Sequence, residues 1–174
     1  MNDYCAIFGS AAADEGEEAV QEAEKIGEFL AENSFNVLCG GFGGVMEAAC
    51  RGNKRAGGAP LGIGLQSFSQ KPNRYLTDYR AATTLGERLD LFEEKTGPVL
   101  GLPGGIGTIT EVMFFWDLAK SGLTDEHPLI LYGSHWEKFL AVLGEEFIVD
   151  DQHFKRLKTA ENLAELRSVL ASLL

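Results

Sequence analysis

Hydrophobic residues along this chain keep two rhythms. Short, nearly unbroken apolar runs occur at Tyr4–Phe8, Phe35–Cys39, Pro60–Leu65, Pro98–Leu102 and Pro128–Tyr132. Each is bounded by glycine, proline or polar residues, the pattern of a strand buried on both faces. Weaker strands are expected at Tyr79–Thr84 and Phe154–Lys158. Between the runs, apolar residues recur every three or four positions, which predicts helices over 14–32, 45–55, 86–95, 109–120, 136–147 and 161–173. The first would face inward with Ala19, Ala23, Ile26 and Leu30, and its acidic opening, Asp14, Glu15, Glu17 and Glu18, suits a helix N-terminus. Val112–Trp116 is apolar nearly all round, as in a subunit interface or a helix fully buried in one chain. Residues 66–78 are polar and irregular.

Strands alternating with helices predict an α/β fold: a Rossmann-like three-layer α/β/α sandwich with a mostly parallel sheet of six to seven strands. At 174 residues, with no repeat, low-complexity tract or linker, residues 1–174 make a single domain. Ligands of such folds sit outside the carboxyl ends of the strands, so the segments that follow strands are where chemistry is expected.

Composition sharpens this picture in three ways. Glycine is abundant, at 21 residues, and much of it is clustered rather than spread through linkers. The net charge of −11 disfavours nucleic acid and anionic membrane as partners. Cys5, Cys39 and Cys50 have no metal-ligand spacing and no disulfide framework, and His127, His135 and His153 are isolated, so no metal is expected. Trp116 and Trp136 fall in helical patterns and are expected in the core or an interface rather than stacked on a base. The start Met1-Asn2-Asp3 has no basic leader and no apolar run approaches ~18 residues, which predicts a cytoplasmic protein.

Two glycine clusters each join a strand to a helix. Gly40-Gly41-Phe42-Gly43-Gly44 can bring backbone N–H groups to a phosphate at a helix N-terminus. It can equally be a tight turn for helix–sheet packing. Met46 stands where a dinucleotide fingerprint needs its third glycine, and Gln66-Ser67 follow the next strand where an acidic residue would hold a ribose, which disfavours a dinucleotide. Pro103-Gly104-Gly105-Ile106-Gly107-Thr108-Ile109-Thr110-Glu111 adds two hydroxyls to the same arrangement and lacks the lysine of a P-loop. Thr108-x-x-Glu111 is also a capping-box pattern, in which Glu111 would only satisfy backbone donors. Lys71, Arg74, Arg80 and Arg88 form a basic interlude in the acidic chain. Arg88 lies within reach of the ligand edge and suits bidentate phosphate binding, while composition favours a surface arginine paired with Glu87 or Asp90.

Pro103–Glu111 is similar to the P-G-G-x-G-T-x-x-E signature of the LOG (Lonely Guy) family, often labelled lysine decarboxylase-like, although no pyridoxal-lysine motif is present. Gly40–Met46 resembles that family's earlier glycine loop, and Glu87-Arg88 its M-H-x-R-K segment. The resemblance runs from about Tyr4 to the C-terminus in element order. It implies a homodimeric, cofactor-free phosphoribohydrolase that cuts the N-glycosidic bond of a nucleoside 5′-monophosphate. Catalysis would fall to Arg88 and Glu111, and the 5′-phosphate to Gly104, Gly105, Gly107 and Thr108. Gly9, Ser10, Gly41, Gly43, Gly44 and Glu47 would hold the ribose and the rest of the nucleotide. Leu85, Gly86 and Leu89 replace the family's Met, His and Lys, and Glu47 replaces a glycine of plant-type members. The wider superfamily includes molybdenum-cofactor carriers and sensor domains that bind nucleotides without cutting them, so a nucleotide or molybdenum-cofactor carrier is the alternative.

Overall fold

The apolar runs pair with one another as the alternation requires. The structure, a computed structural model, describes residues 3–122 and 127–172. Seven strands, β1 (Tyr4–Phe8), β2 (Asn36–Cys39), β3 (Leu61–Leu65), β4 (Asp78–Ala82), β5 (Thr96–Gly101), β6 (Leu129–Tyr132) and β7 (Leu157–Ala160), form one sheet in the order β4-β3-β2-β1-β5-β6-β7. Every pairing is parallel. The helices are α1 (Glu18–Glu32), α2 (Gly44–Arg55), α3 (Leu85–Lys95), α4 (Ile106–Ser121), α5 (His135–Glu146), α6 (Asp151–Phe154) and α7 (Leu163–Ala171).

Strand side chains alternate between faces, so β1 feeds two cores. Cys5 and Ile7 pack with Ile26 and Leu30 of α1, Val45 of α2 and Leu166 of α7. Ala6 and Phe8 pack with Phe92 of α3, Val112 and Phe115 of α4 and Trp136 of α5. Three layers result, and the order of strands reverses at β1, which opens a crevice above the carboxyl ends of β1 and β5.

The element boundaries differ from the sequence expectation at places with a local cause. Helix α1 begins at Glu18 rather than Asp14. The Asp14 N–H donates to Glu17 Oε1 at 2.8 Å, and this turn precedes the helix, so most of the acidic opening lies outside it. Helix α4 begins at Ile106 rather than Ile109, because Gly105 takes the extended N-cap conformation. Thr84 leaves the predicted fourth strand to cap α3, accepting from the Glu87 N–H. Asp150 likewise caps the short α6 by accepting from the Gln152 N–H, which delays the last strand to Leu157. The predicted end of the last helix at Leu173, like Met1-Asn2 of the start, lies outside the described residues.

Helices α1 and α2 cross at backbone contact. A Cβ on Gly27 would collide with the Ala49 carbonyl, and one on Gly52 with the Glu24 carbonyl. Beside the crossing, fully buried Asn53 donates to Gly27 O at 3.1 Å and Phe35 O at 3.0 Å, and accepts from the Val37 N–H at 3.3 Å. Arg51 and Arg55 close its rim with Glu15, Glu24 and Glu28. The helix that carries the first glycine loop is thereby fixed against its neighbour.

Helix α4 buries one face, with Val112, Phe115 and Trp116, while Met113 on its other side faces outward beside exposed Ile148. Trp116 Nε1 donates to His153 O and Trp136 Nε1 to Gly101 O, so both tryptophans are core residues. All three cysteines are buried free thiols, and Cys5 is pushed well above the usual thiol range by burial. Among the described residues no group of His, Cys, Asp and Glu could hold a metal, and no helix is long and apolar enough to cross a membrane.

Candidate functional site

Three loops meet at the crevice, following β1, β2 and β5. Ser10 ties them together. Its N–H donates to Pro103 O at 3.0 Å, its carbonyl accepts from the Val45 N–H at 3.0 Å, and its Oγ accepts from the Ala12 N–H at 3.2 Å. Gly44 allows this junction: its φ is +62°, and a Cβ there would strike the Ser10 carbonyl. The 66–78 segment is latched on from outside, where Asn73 donates from its backbone to Gly41 O at 2.8 Å and from Nδ2 to Phe42 O at 3.1 Å.

The β5 loop ends in an unblocked helix start. The first intrahelical donor of α4 is the Ile109 N–H, which bonds Gly105 O at 3.0 Å. The N–H groups of Ile106, Gly107 and Thr108 therefore have no carbonyl within their own helix, and the N-cap residue, Gly105, has no side chain to cover them. Space beside Gly105 and Gly107 is open, whereas a Cβ on Gly104 would run into the Thr108 side chain. Thr108 is buried at the cavity wall. The Thr110 hydroxyl, the second one expected to face a phosphate, instead donates to Ile106 O at 2.9 Å within the helix.

Beside that helix start lies a buried ion pair. Arg88 Nη2 stands 2.6 Å from Glu111 Oε1, and the two residues are only 8% and 6% exposed. Arg88 is held from three sides: its Nε donates to Ile63 O at 2.9 Å, its guanidinium lies 5.1 Å from the Phe92 ring centre, and its N-terminal turn is capped by Thr84. Glu87 turns away and accepts from the Thr83 N–H and hydroxyl. The surface pairing of Arg88 with Glu87 or Asp90 that composition favoured is thus replaced by a partner on another helix. The capping box is absent as well, because Thr108 lies inside α4 and Glu111 is committed to Arg88. Loss of water pushes the Glu111 carboxyl above its ordinary range; Arg88 pulls the other way and offsets this only in part.

Arg88, Glu111, Gly105, Gly107 and Thr108 share one cavity of about 350 Å³, which Gly9 and Ser10 also line. An adjoining compartment of about 560 Å³ is lined by Gly43, Glu47, Lys71 and Arg74. Of the remaining residues expected at the site, Gly41, Gly44 and Gly104 shape the loops without lining either compartment, and Arg80 lies exposed on edge strand β4. The sequence pattern missed Phe42, Met46, Phe68 and Gln70, all of which line the first compartment. A lone aromatic in the polar run 66–74 was the available signal for Phe68.

The parallel α/β layout agrees with the comparison to known proteins. Residues 3–156 match the model of the SLOG cluster4 family. This chain belongs to the SLOG cluster4 family. A relative of this SLOG cluster4 protein, an uncharacterized protein of Archaeoglobus fulgidus, is 30% identical over 128 residues, covering 73% of this chain and 82% of the relative. The cytokinin riboside 5′-monophosphate phosphoribohydrolase of Mycobacterium marinum is 26% identical over 176 residues, covering 92% and 87%. Among solved structures, the molybdenum cofactor binding protein of Rippkaea orientalis superposes with a TM-score of 0.78 at 19% identity, covering 99% of this chain and 98% of that one. These similarities place the SLOG cluster4 chain in the wider superfamily to which the glycine signature pointed.

Proposed function

We propose that this protein hydrolyses the N-glycosidic bond of a nucleoside 5′-monophosphate, releasing free base and ribose 5-phosphate. The observation that carries the reading is the buried Arg88–Glu111 pair facing the same cavity as the uncovered N–H groups at the start of α4. A phosphate bound to those N–H groups gains from the helix dipole and from the Thr108 side chain beside them. The ribose would then lie toward Arg88 and Glu111, with Gly9 and Ser10 behind it and Glu47 at the neighbouring compartment.

Glycosidic cleavage passes through an oxocarbenium-like state. The C1′–N bond breaks and its electron pair leaves with the base. A water oxygen bonds to C1′, one of its protons passes to the Glu111 carboxylate, and a proton then goes from Glu111 to the departing base, directly or through solvent, which restores the carboxylate. Arg88 holds one Glu111 oxygen and so orients the carboxylate toward the sugar, where its charge also stabilises the cation. The reading includes no cofactor.

The second reading, a protein that retains a nucleotide or a molybdenum cofactor without cutting it, is supported by the similarity in fold to the Rippkaea orientalis protein. It also draws on Gly86, which stands where the LOG signature has its histidine. Incubation with AMP, GMP, CMP and UMP separates the two. Hydrolysis predicts ribose 5-phosphate from at least one of them, and a drop of ~10²–10³ in rate for Glu111→Ala. Bound nucleotide recovered intact after long incubation, or Glu111→Ala turning over at the wild-type rate, contradicts the reading.

A further inference from the structure

Part of the cavity wall is aromatic, and it is built from the sheet outward. Tyr79, on β4, lies against β3 and the loop after β2 at positions where only glycine leaves room. A Cβ on Gly41 would stand 2.9 Å from the Tyr79 ring, one on Gly62 likewise 2.9 Å, and one on Gly64 would overlap its hydroxyl. Phe42 packs against this ring with centroids 6.4 Å apart, edge to face. Phe68 in turn packs against Phe42 at 5.5 Å, again edge to face. The three rings form a ladder from the sheet to the mouth of the cavity. Its first rungs are buried or half-buried, and its last, Phe68, is 46% exposed. Phe68 and Phe42 line the same compartment as Arg88 and Glu111, with the flexible thioether of Met46 beside them and the Gln70 amide at the rim.

Phe68 is held against Phe42, which Tyr79 backs in turn, and it lines the cavity while remaining part-exposed. Phenylalanine can stack on any flat heterocycle, and thioethers adapt to such rings. Gln70 can both donate to and accept from the edge of a heterocycle. We propose that Phe68, supported through Phe42 by Tyr79, is the stacking surface for the base of the bound nucleotide. This assignment rests on the nucleotide reading above and concerns the end of the ligand remote from the phosphate.

Calorimetry with two ligands tests it. Formycin 5′-monophosphate carries a purine-like base on a carbon–carbon bond and resists glycosidic hydrolysis; ribose 5-phosphate has the same phosphate and sugar without a base. The wild-type protein is expected to bind the nucleotide at least tenfold more tightly than ribose 5-phosphate. Phe68→Ala is expected to weaken nucleotide binding by about tenfold, within the range found for losing one aromatic stacking partner, and to leave ribose 5-phosphate binding unchanged. Phe68→Tyr should restore the nucleotide affinity. Equal nucleotide affinity for wild type and Phe68→Ala overturns the assignment, as does equal weakening of both ligands, which would make Phe68 a prop for the loop. In either case retained ribose 5-phosphate binding leaves the phosphate reading standing. Binding of neither ligand to the wild type overturns both.

Discussion

Glu111 is a carboxylate with two masters. Burial favours its neutral form and Arg88 its charged one, and the balance leaves its pKa above the ordinary carboxylate value. If the ionised form accepts the proton of water, turnover depends on deprotonation. The rate for a nucleoside monophosphate should therefore be full at neutral pH and fall as pH drops through the raised pKa, with its acidic limb above the ordinary value of 4.5. A pH–rate profile that stays flat down to the ordinary carboxylate range contradicts that role. The motif made Glu111 visible in sequence, because a short local signature needs no tertiary information. Its partner was visible only through the resemblance, not through composition or spacing. Arg88 is brought to it by the packing of α3 and α4 on one face of the sheet, whereas composition sees only the nearby Glu87 and Asp90.

Strand and helix identities were readable along the chain because burial on both faces of a parallel sheet leaves an unbroken apolar run. Helix starts were less readable, since they are decided by which residue caps. Gly105 opens α4 three residues earlier than the apolar pattern suggests, and that shift moves Thr108 from a cap into a wall of the site. The α1–α2 crossing is the element-scale feature on which the first glycine loop depends. Gly52 occupies a helix interior, where alanine is intrinsically better by about 1 kcal/mol. At this crossing, however, a methyl group meets the Glu24 carbonyl. Gly52→Ala is accordingly expected to lower the unfolding free energy by about 1–3 kcal/mol, as overpacking does. Urea unfolding measures it, and a stabilised variant would show that the two helices part without cost.

At the scale of the whole molecule, the reversal of strand order at β1 converts three separate loops into one site. The edge at which the candidate site lies was legible, because in parallel α/β sheets it follows from topology alone. The aromatic wall was not, because the irregular 66–78 segment has no periodicity to place it and is positioned by Asn73 bonding to a loop far away in sequence. The molecule is strongly acidic, with a net charge of −11, yet the account requires it to hold a phosphate. Short-range donors must then overcome an unfavourable long-range field: the N–H groups at the start of α4, with Arg88 already largely neutralised by Glu111. A crystal soaked with formycin 5′-monophosphate tests this most directly. The account predicts the phosphate on the N–H groups of Ile106, Gly107 and Thr108, with the sugar against Arg88 and Glu111. A nucleotide bound with its phosphate elsewhere, and those N–H groups facing only water, would contradict it.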